Sequence, residues 1–152
     1  MIAVAMTMIS PSAGNGQLSQ SAFESLARAE AAVRRRLAAE LEREGVSHSG
    51  YAVLMTLMGA AGELELRVLR ERLGTSKANA TEIVTTLETR GLVSRHRLQH
   101  DRRAASVRLT VSGRELIDRL APEHTRRVAD AFACLDAGEQ RTLAAICSKL
   151  AA

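Results

Sequence analysis

The break Gly74-Thr75-Ser76 constrains this chain more than any other feature, because it separates two short apolar-striped segments and is soon succeeded by two runs of β-formers. Before it, Val68, Leu69 and Leu73 share one face of about two helical turns, and Gly74 supplies the residue that ends a helix most readily. After it, Ser76 is a favoured N-cap, and Ala80, Ile83, Val84 and Leu87 recur at helical spacing until Gly91. Two short helices joined this way have the shape of a helix-turn-helix, although any antiparallel helix pair looks similar. The stretch after Gly91 removes the ambiguity. The runs Leu92–Arg97 and Ala105–Leu109 alternate or carry β-formers, and the charged segment Leu98–Arg103 lies between them. A β-hairpin directly after the second helix is a wing.

The flanking segments read as helices. From Ser19 to Arg43, Phe23, Leu26, Val33, Leu37 and Leu41 repeat at near-helical spacing; Ser21 and Glu24 predict a capping box, and Gly45 ends the helix. Tyr51, Val53, Leu54, Leu57 and Met58 mark a more buried helix over Ser49–Ala60, closed by Gly59 and Gly62, and Glu63–Leu66 is short and extended. Ser112 with Glu115 predicts the cap of a long helix carrying Leu116, Ile117, Leu120, Val128, Phe132 and Leu135, which Pro122 should kink. Asp136 and Glu139 cap a last helix expected to bury Leu143, Ile146, Cys147 and Leu150. Aromatics are 2% of the chain, so the core must come from Leu, Ala, Val and Ile, which favours helices over a β-sandwich. The expected fold class is mainly α with a small β-hairpin wing.

A length of 152 residues suits one domain. Residues 1–16 are expected to be a disordered tail, because Met1–Ile9 is too short to span a bilayer and lacks a basic flank. The rest, 17–152, reads as one domain. No membrane span and no secretory signal are present, so the expected compartment is the cytoplasm, and Cys134 and Cys147 are expected to be inert core thiols. Net charge is +4, and the 14 residues from Arg95 to Arg108, with five arginines and one aspartate, carry the same net charge. The rest of the chain taken together sums to zero, which points to a polyanion partner rather than a solvated face.

The order of elements and the residues together resemble the MarR family, the multiple-antibiotic-resistance type of regulator of bacteria and archaea. The resemblance rests on Tyr51-Ala52-Val53-Leu54; on Ser76, Thr81, Val84, Leu87 and Glu88; on Gly91-Leu92-Val93-Ser94-Arg95; and on Asp101-Arg102-Arg103 with the later Val107-Arg108-Leu109-Thr110 and Gly113. The last run matches the family's D-x-R…L-T-x-x-G, and the motifs span about residues 45–115. The resemblance implies a winged helix-turn-helix over 49–112, flanked by dimerisation helices at 17–45 and 114–150. It implies a homodimer that sets two wings and recognition helices on successive major grooves. It also implies that small anionic aromatic ligands weaken DNA binding. Relatives usually carry an arginine after the position of Thr81, whereas this chain has Glu82. Base preference therefore does not transfer.

Against the apolar stripe, the outward face of the recognition helix holds Ala78, Asn79, Thr81, Glu82, Thr85 and Thr86. Asn can pair with adenine, Glu can accept from cytosine N4, and Thr or Ala can touch a thymine methyl. Ser76 and Lys77 stand at the helix N-terminus, which favours a phosphate. Arg103 is the candidate for the minor groove, braced by Asp101, and Arg95, Arg97 and Arg102 are candidates for the phosphate backbone. His96 and His100 have a metal-ligand spacing only on a helix; on a hairpin they read as exposed, so no metal or other cofactor is expected. The sequence has no G-x-S-x-G, P-loop, G-x-G-x-x-G, H-E-x-x-H or C-x-x-C pattern, so catalysis is not expected. The expected function is a sequence-specific regulator of transcription on a pseudo-palindromic operator, a repressor relieved by a small ligand. The alternative is a winged-helix protein-interaction module, which has no need of five wing arginines.

Overall fold

The computed structural model describes residues 11–97 and 105–151, the side chains of residues 11–14 excepted. In chain order its elements are α1 (Pro11–Arg43), α2 (His48–Met58), β1 (Glu63–Glu65), α3 (Leu66–Leu73), α4 (Lys77–Thr89), β2 (Val93–Arg97), β3 (Ala105–Leu109), α5 (Val111–Phe132) and α6 (Ala137–Ala151). The chain divides into one compact unit up to Arg35 and another from Arg36 onward. In the first, α1 exposes Leu18, Phe23 and Leu26 and is laced by the ion pairs Arg28–Glu24 and Arg34–Glu30 at i,i+4 spacing.

The second unit has one core. Leu41, Val46, Tyr51, Val53, Leu54, Leu57, Leu69, Val84, Leu87, Val93, Val107, Leu116 and Ile117 close on each other, so α2 is wrapped by α3, α4, α5 and the sheet. The strands form one antiparallel sheet in the order β1-β3-β2. Its register pairs Val93 with Leu109 and Arg95 with Val107 on one side of β3, and Glu63 with Arg108 on the other.

Glycine sets the stops. Gly74 caps α3 in the left-handed conformation at φ 59°, and Gly45 and Gly91 take positive φ after α1 and α4. Ser47 and Ser76 cap α2 and α4 by accepting from the backbone N–H groups of Gly50 and Asn79. At α6, Asp136 Oδ1 accepts from the Gly138 and Glu139 N–H groups while Glu139 Oε2 accepts from Asp136 N–H, the reciprocal box the sequence predicts.

Several expectations need correction. Helix α1 begins at Pro11, within the stretch expected as tail, and Ser21 lies inside it; the expected box there is absent, and Glu24 instead accepts from the Gln20 side chain. The cap of α5 is Thr110, whose Oγ1 accepts from Gly113 N–H, so Ser112 sits in the first turn. The long helix expected after Ser112 is present as α5, which continues past Pro122 to Phe132. The segment expected to be short and extended does form a strand over Glu63–Glu65, whose backbone completes the free edge of β3. Among the described residues no side chain of α6 is buried, and Ile146 and Leu150 are 51% and 71% exposed.

Candidate nucleic-acid interface

Helix α4 is held from below and left bare above. Ala80, Val84 and Leu87 are buried, whereas Lys77, Ala78, Asn79, Glu82, Thr85 and Thr86 are exposed and Thr81 is half-buried, so the residues nominated from the sequence do share one surface. Ser76 is exposed at its N-terminus, where its hydroxyl is engaged by Asn79 N–H at 3.2 Å. The Asn79 amide donates to Thr75 Oγ1 at 2.6 Å, which commits one of its two N–H groups. Between this face and the start of α2 lies an open cavity of about 350 Å³ lined by Ser47, Ser49, Gly50, Asn79, Glu82, Thr86 and Arg90 among others.

The threonines of α4 share one habit. Each hydroxyl donates to the carbonyl one turn back: Thr81 to Lys77, Thr85 to Thr81, Thr86 to Glu82 and Thr89 to Thr85, at 2.7–3.1 Å.

At the base of the wing, Arg95 has partners within the fold. Its side chain is half-buried; Nε and Nη2 both lie 2.7 Å from Glu88 Oε2, and Nη2 also donates to Thr85 Oγ1 at 2.9 Å. Its backbone N–H donates to the other Glu88 oxygen at 3.0 Å. The reason is the two-residue period of a strand. Arg95 stands across from Val107, on the sheet side that also carries Val93 and Leu109, and that side faces α4 rather than solvent. The guanidinium therefore ties β2 to α4, and its hydrogen bonds hold the Glu88 carboxyl below its usual pKa. Arg97 is exposed at the outer end of β2, and His96 is exposed with Ser94 Oγ at 2.9 Å from its Nε2. Asp101, Arg102, Arg103 and His100 lie outside the described residues, as does the tip they were expected to form.

Three partners went unnominated in the sequence. Glu63 accepts from Ser106 at 2.7 Å and from Arg108 at 2.8 and 3.0 Å, which occupies one wing arginine and lowers the pKa of the Glu63 carboxyl, Ser106 contributing most. Arg90, at the end of α4, donates to the carbonyls of Gly45 and Glu44 and so closes the C-terminus of α1. Glu40 is 6% exposed and pairs with Arg127 at 3.3 Å, near the Tyr51 and His124 rings, whose centroids stand 4.4 Å apart. Burial keeps His124 below the usual histidine pKa against the pull of Glu40, and raises the Tyr51 phenol. A strand-parity count could have assigned Arg95; the other three depend on packing between distant elements.

Cys134 is exposed in the turn after α5 and Cys147 is half-buried, so the first is not the core thiol expected. Among the described residues no cluster of His, Cys, Asp or Glu could hold a metal ion, and no helix is long and apolar enough to cross a membrane.

A three-residue turn between α3 and α4, an exposed polar face on α4 and an antiparallel sheet packed against that helix define a winged helix-turn-helix protein. The model of the MarR family matches residues 44–104. The chain is 30% identical over 121 residues to the HTH-type transcriptional regulator YwaE of Bacillus subtilis, covering 76% of this chain and 70% of that one. It is 33% identical over 106 residues to YdgJ, another such regulator of Bacillus subtilis, covering 70% of this chain but only 64% of that protein's length. The solved structure of Sco3205, a MarR family transcriptional regulator from Streptomyces coelicolor in complex with DNA, superposes with a TM-score of 0.81 at 27% identity, covering 87% of this chain and 84% of the other. The chain belongs to the MarR family of transcriptional regulators.

Proposed function

We propose that the chain is a homodimeric regulator that binds a pseudo-palindromic operator in double-stranded DNA, acting as a repressor that a small anionic aromatic ligand releases. The observation that carries the DNA-binding reading is the outward face of α4, exposed and polar from Lys77 to Thr86 and fixed against the wing by Arg95 and Glu88. On this reading Ser76 and Lys77 position a phosphate, while Ala78, Asn79, Thr81, Glu82, Thr85 and Thr86 face base edges. Arg97 and Arg102 serve the backbone by charge, and Arg103, steadied by Asp101, enters the minor groove. Family membership supports the homodimer, the repressor role and the ligand.

The test is a titration on matched and scrambled duplexes at several salt concentrations. Arg103→Ala should weaken binding to both duplexes and lower the salt slope by about one unit. Asn79→Ala should cost ~1–3 kcal/mol on the matched duplex alone, with the slope nearly unchanged. Wild-type affinity and slope for Arg103→Ala on both duplexes would sink the assignment of the wing.

A further inference from the structure

We propose that the outward face of α4 reads thymine through its methyl group, and that Arg95 is the positioning residue that keeps Thr85 turned for this; the inference rests on the DNA-binding reading above. A threonine hydroxyl has one proton to donate. On this helix Thr81, Thr85, Thr86 and Thr89 have all given it to the backbone one turn earlier. Thr85 is bound twice, because Arg95 Nη2 also donates to its Oγ1 at 2.9 Å while Glu88 clamps the same guanidinium. With Oγ1 turned into the helix, the branch of Cβ left for a partner is the methyl. Thr85 and Thr86 are exposed, and Ala78 adds a third methyl on the same face. Within that face, Glu82 is the one charged group between Lys77 and Glu88, so it has no guanidinium to grip guanine O6 and N7. Methyls around a single carboxylate complement a groove edge rich in thymine C5-methyl groups, with a cytosine N4 amino group opposite Glu82.

The probe is the duplex that the full-length protein enriches from a random 30-base-pair pool, remade with deoxyuridine at one thymine at a time. Deoxyuridine keeps every pairing atom and lacks only the methyl. At least two thymines per half-site should each bind about fourfold more weakly as uridine, the worth of one buried carbon. Thr85→Ser and Thr86→Ser, which keep the hydroxyl, should each erase that ratio at one position. Thr85→Val, which keeps the methyl, should retain it. Arg95→Gln should lower the ratio at the Thr85 position, a readout that a uniform loss of affinity does not move. Equal binding of thymine and uridine duplexes at every position, or serine variants with the wild-type ratio throughout, would overturn the inference. Failure of the protein to enrich any sequence would instead remove the DNA-binding reading itself.

Discussion

A Cβ placed on Gly113 would stand 2.1 Å from the Leu92 carbonyl oxygen and 2.8 Å from Leu109 Cδ1, so the first turn of α5 lies directly on the backbone at the base of the wing. Backbone cannot swing aside as a flexible side chain can. Gly113→Ala should therefore cost about 3 kcal/mol or more, the upper end for overpacking, read as a lower urea midpoint at unchanged m-value. His124 sets a second residue-scale expectation. Burial holds its folded pKa below the usual 6.5, so under acid conditions the unfolded chain binds a proton that the folded chain resists. Stability from this group is present above 6.5 and falls as pH drops below it. The urea midpoint should decline between pH 7.5 and pH 5.5, and His124→Gln should flatten that decline. A midpoint as steep in the variant as in the wild type would assign the effect elsewhere. Glu63 and Glu88, whose carboxyls are lowered by Ser106, Arg108 and Arg95, act in a separate window: their contribution is present above 4.5 and is lost as pH falls through their lower folded values.

At the scale of elements, stops were more legible than starts. Gly45, Gly74 and Gly91 end helices because positive φ is cheap only for glycine, and that requirement is local enough to read from sequence. Starts are contested by neighbours. Thr110 and Ser112 are both favoured N-cap residues, and the helix takes Thr110, whose own N–H is held by the Leu92 carbonyl at 3.1 Å. Thr110→Ala should cost ~1 kcal/mol, and more if the bond from its hydroxyl to the Gly91 carbonyl contributes, whereas Ser112→Ala should stay within about 0.5 kcal/mol. Equal losses would mean that the helix starts where the sequence placed it. The face of α4 was legible because the apolar stripe of Ala80, Val84 and Leu87 fixes its opposite side. The pairing of β1 was not, since a three-residue strand carries too little pattern to announce a partner more than forty residues away. Arg95 reads as one more phosphate-seeking cation of a basic run, and only its place opposite Val107 puts it on the inner side of the sheet.

At the scale of the whole molecule, an apolar surface stands uncovered among the described residues from Arg36 onward. Between α5 and α6 lies a cavity of about 410 Å³ lined by Val128, Phe132, Leu143, Ala144 and Cys147 among others, and Ile146 and Leu150 stand exposed on α6. Such a surface marks an association site, and a second copy of the chain is the occupant expected of a MarR family member. Light scattering should give twice the 16.4 kDa chain mass, and Ile146→Glu with Leu150→Glu should return it to that of one chain. The same substitutions test how the operator is read. Two recognition helices related by a two-fold axis engage half-sites about 10 base pairs apart, so each helix meets the same face of the duplex. Inserting five base pairs between the half-sites turns one of them to the opposite face, and the dimer must then give up one of its two helices. Affinity should fall on the lengthened duplex for the wild type, while the monomeric variant, already bound through one helix, should not distinguish the two duplexes. A wild-type protein indifferent to the insertion would show that each chain binds on its own, whatever its mass in solution.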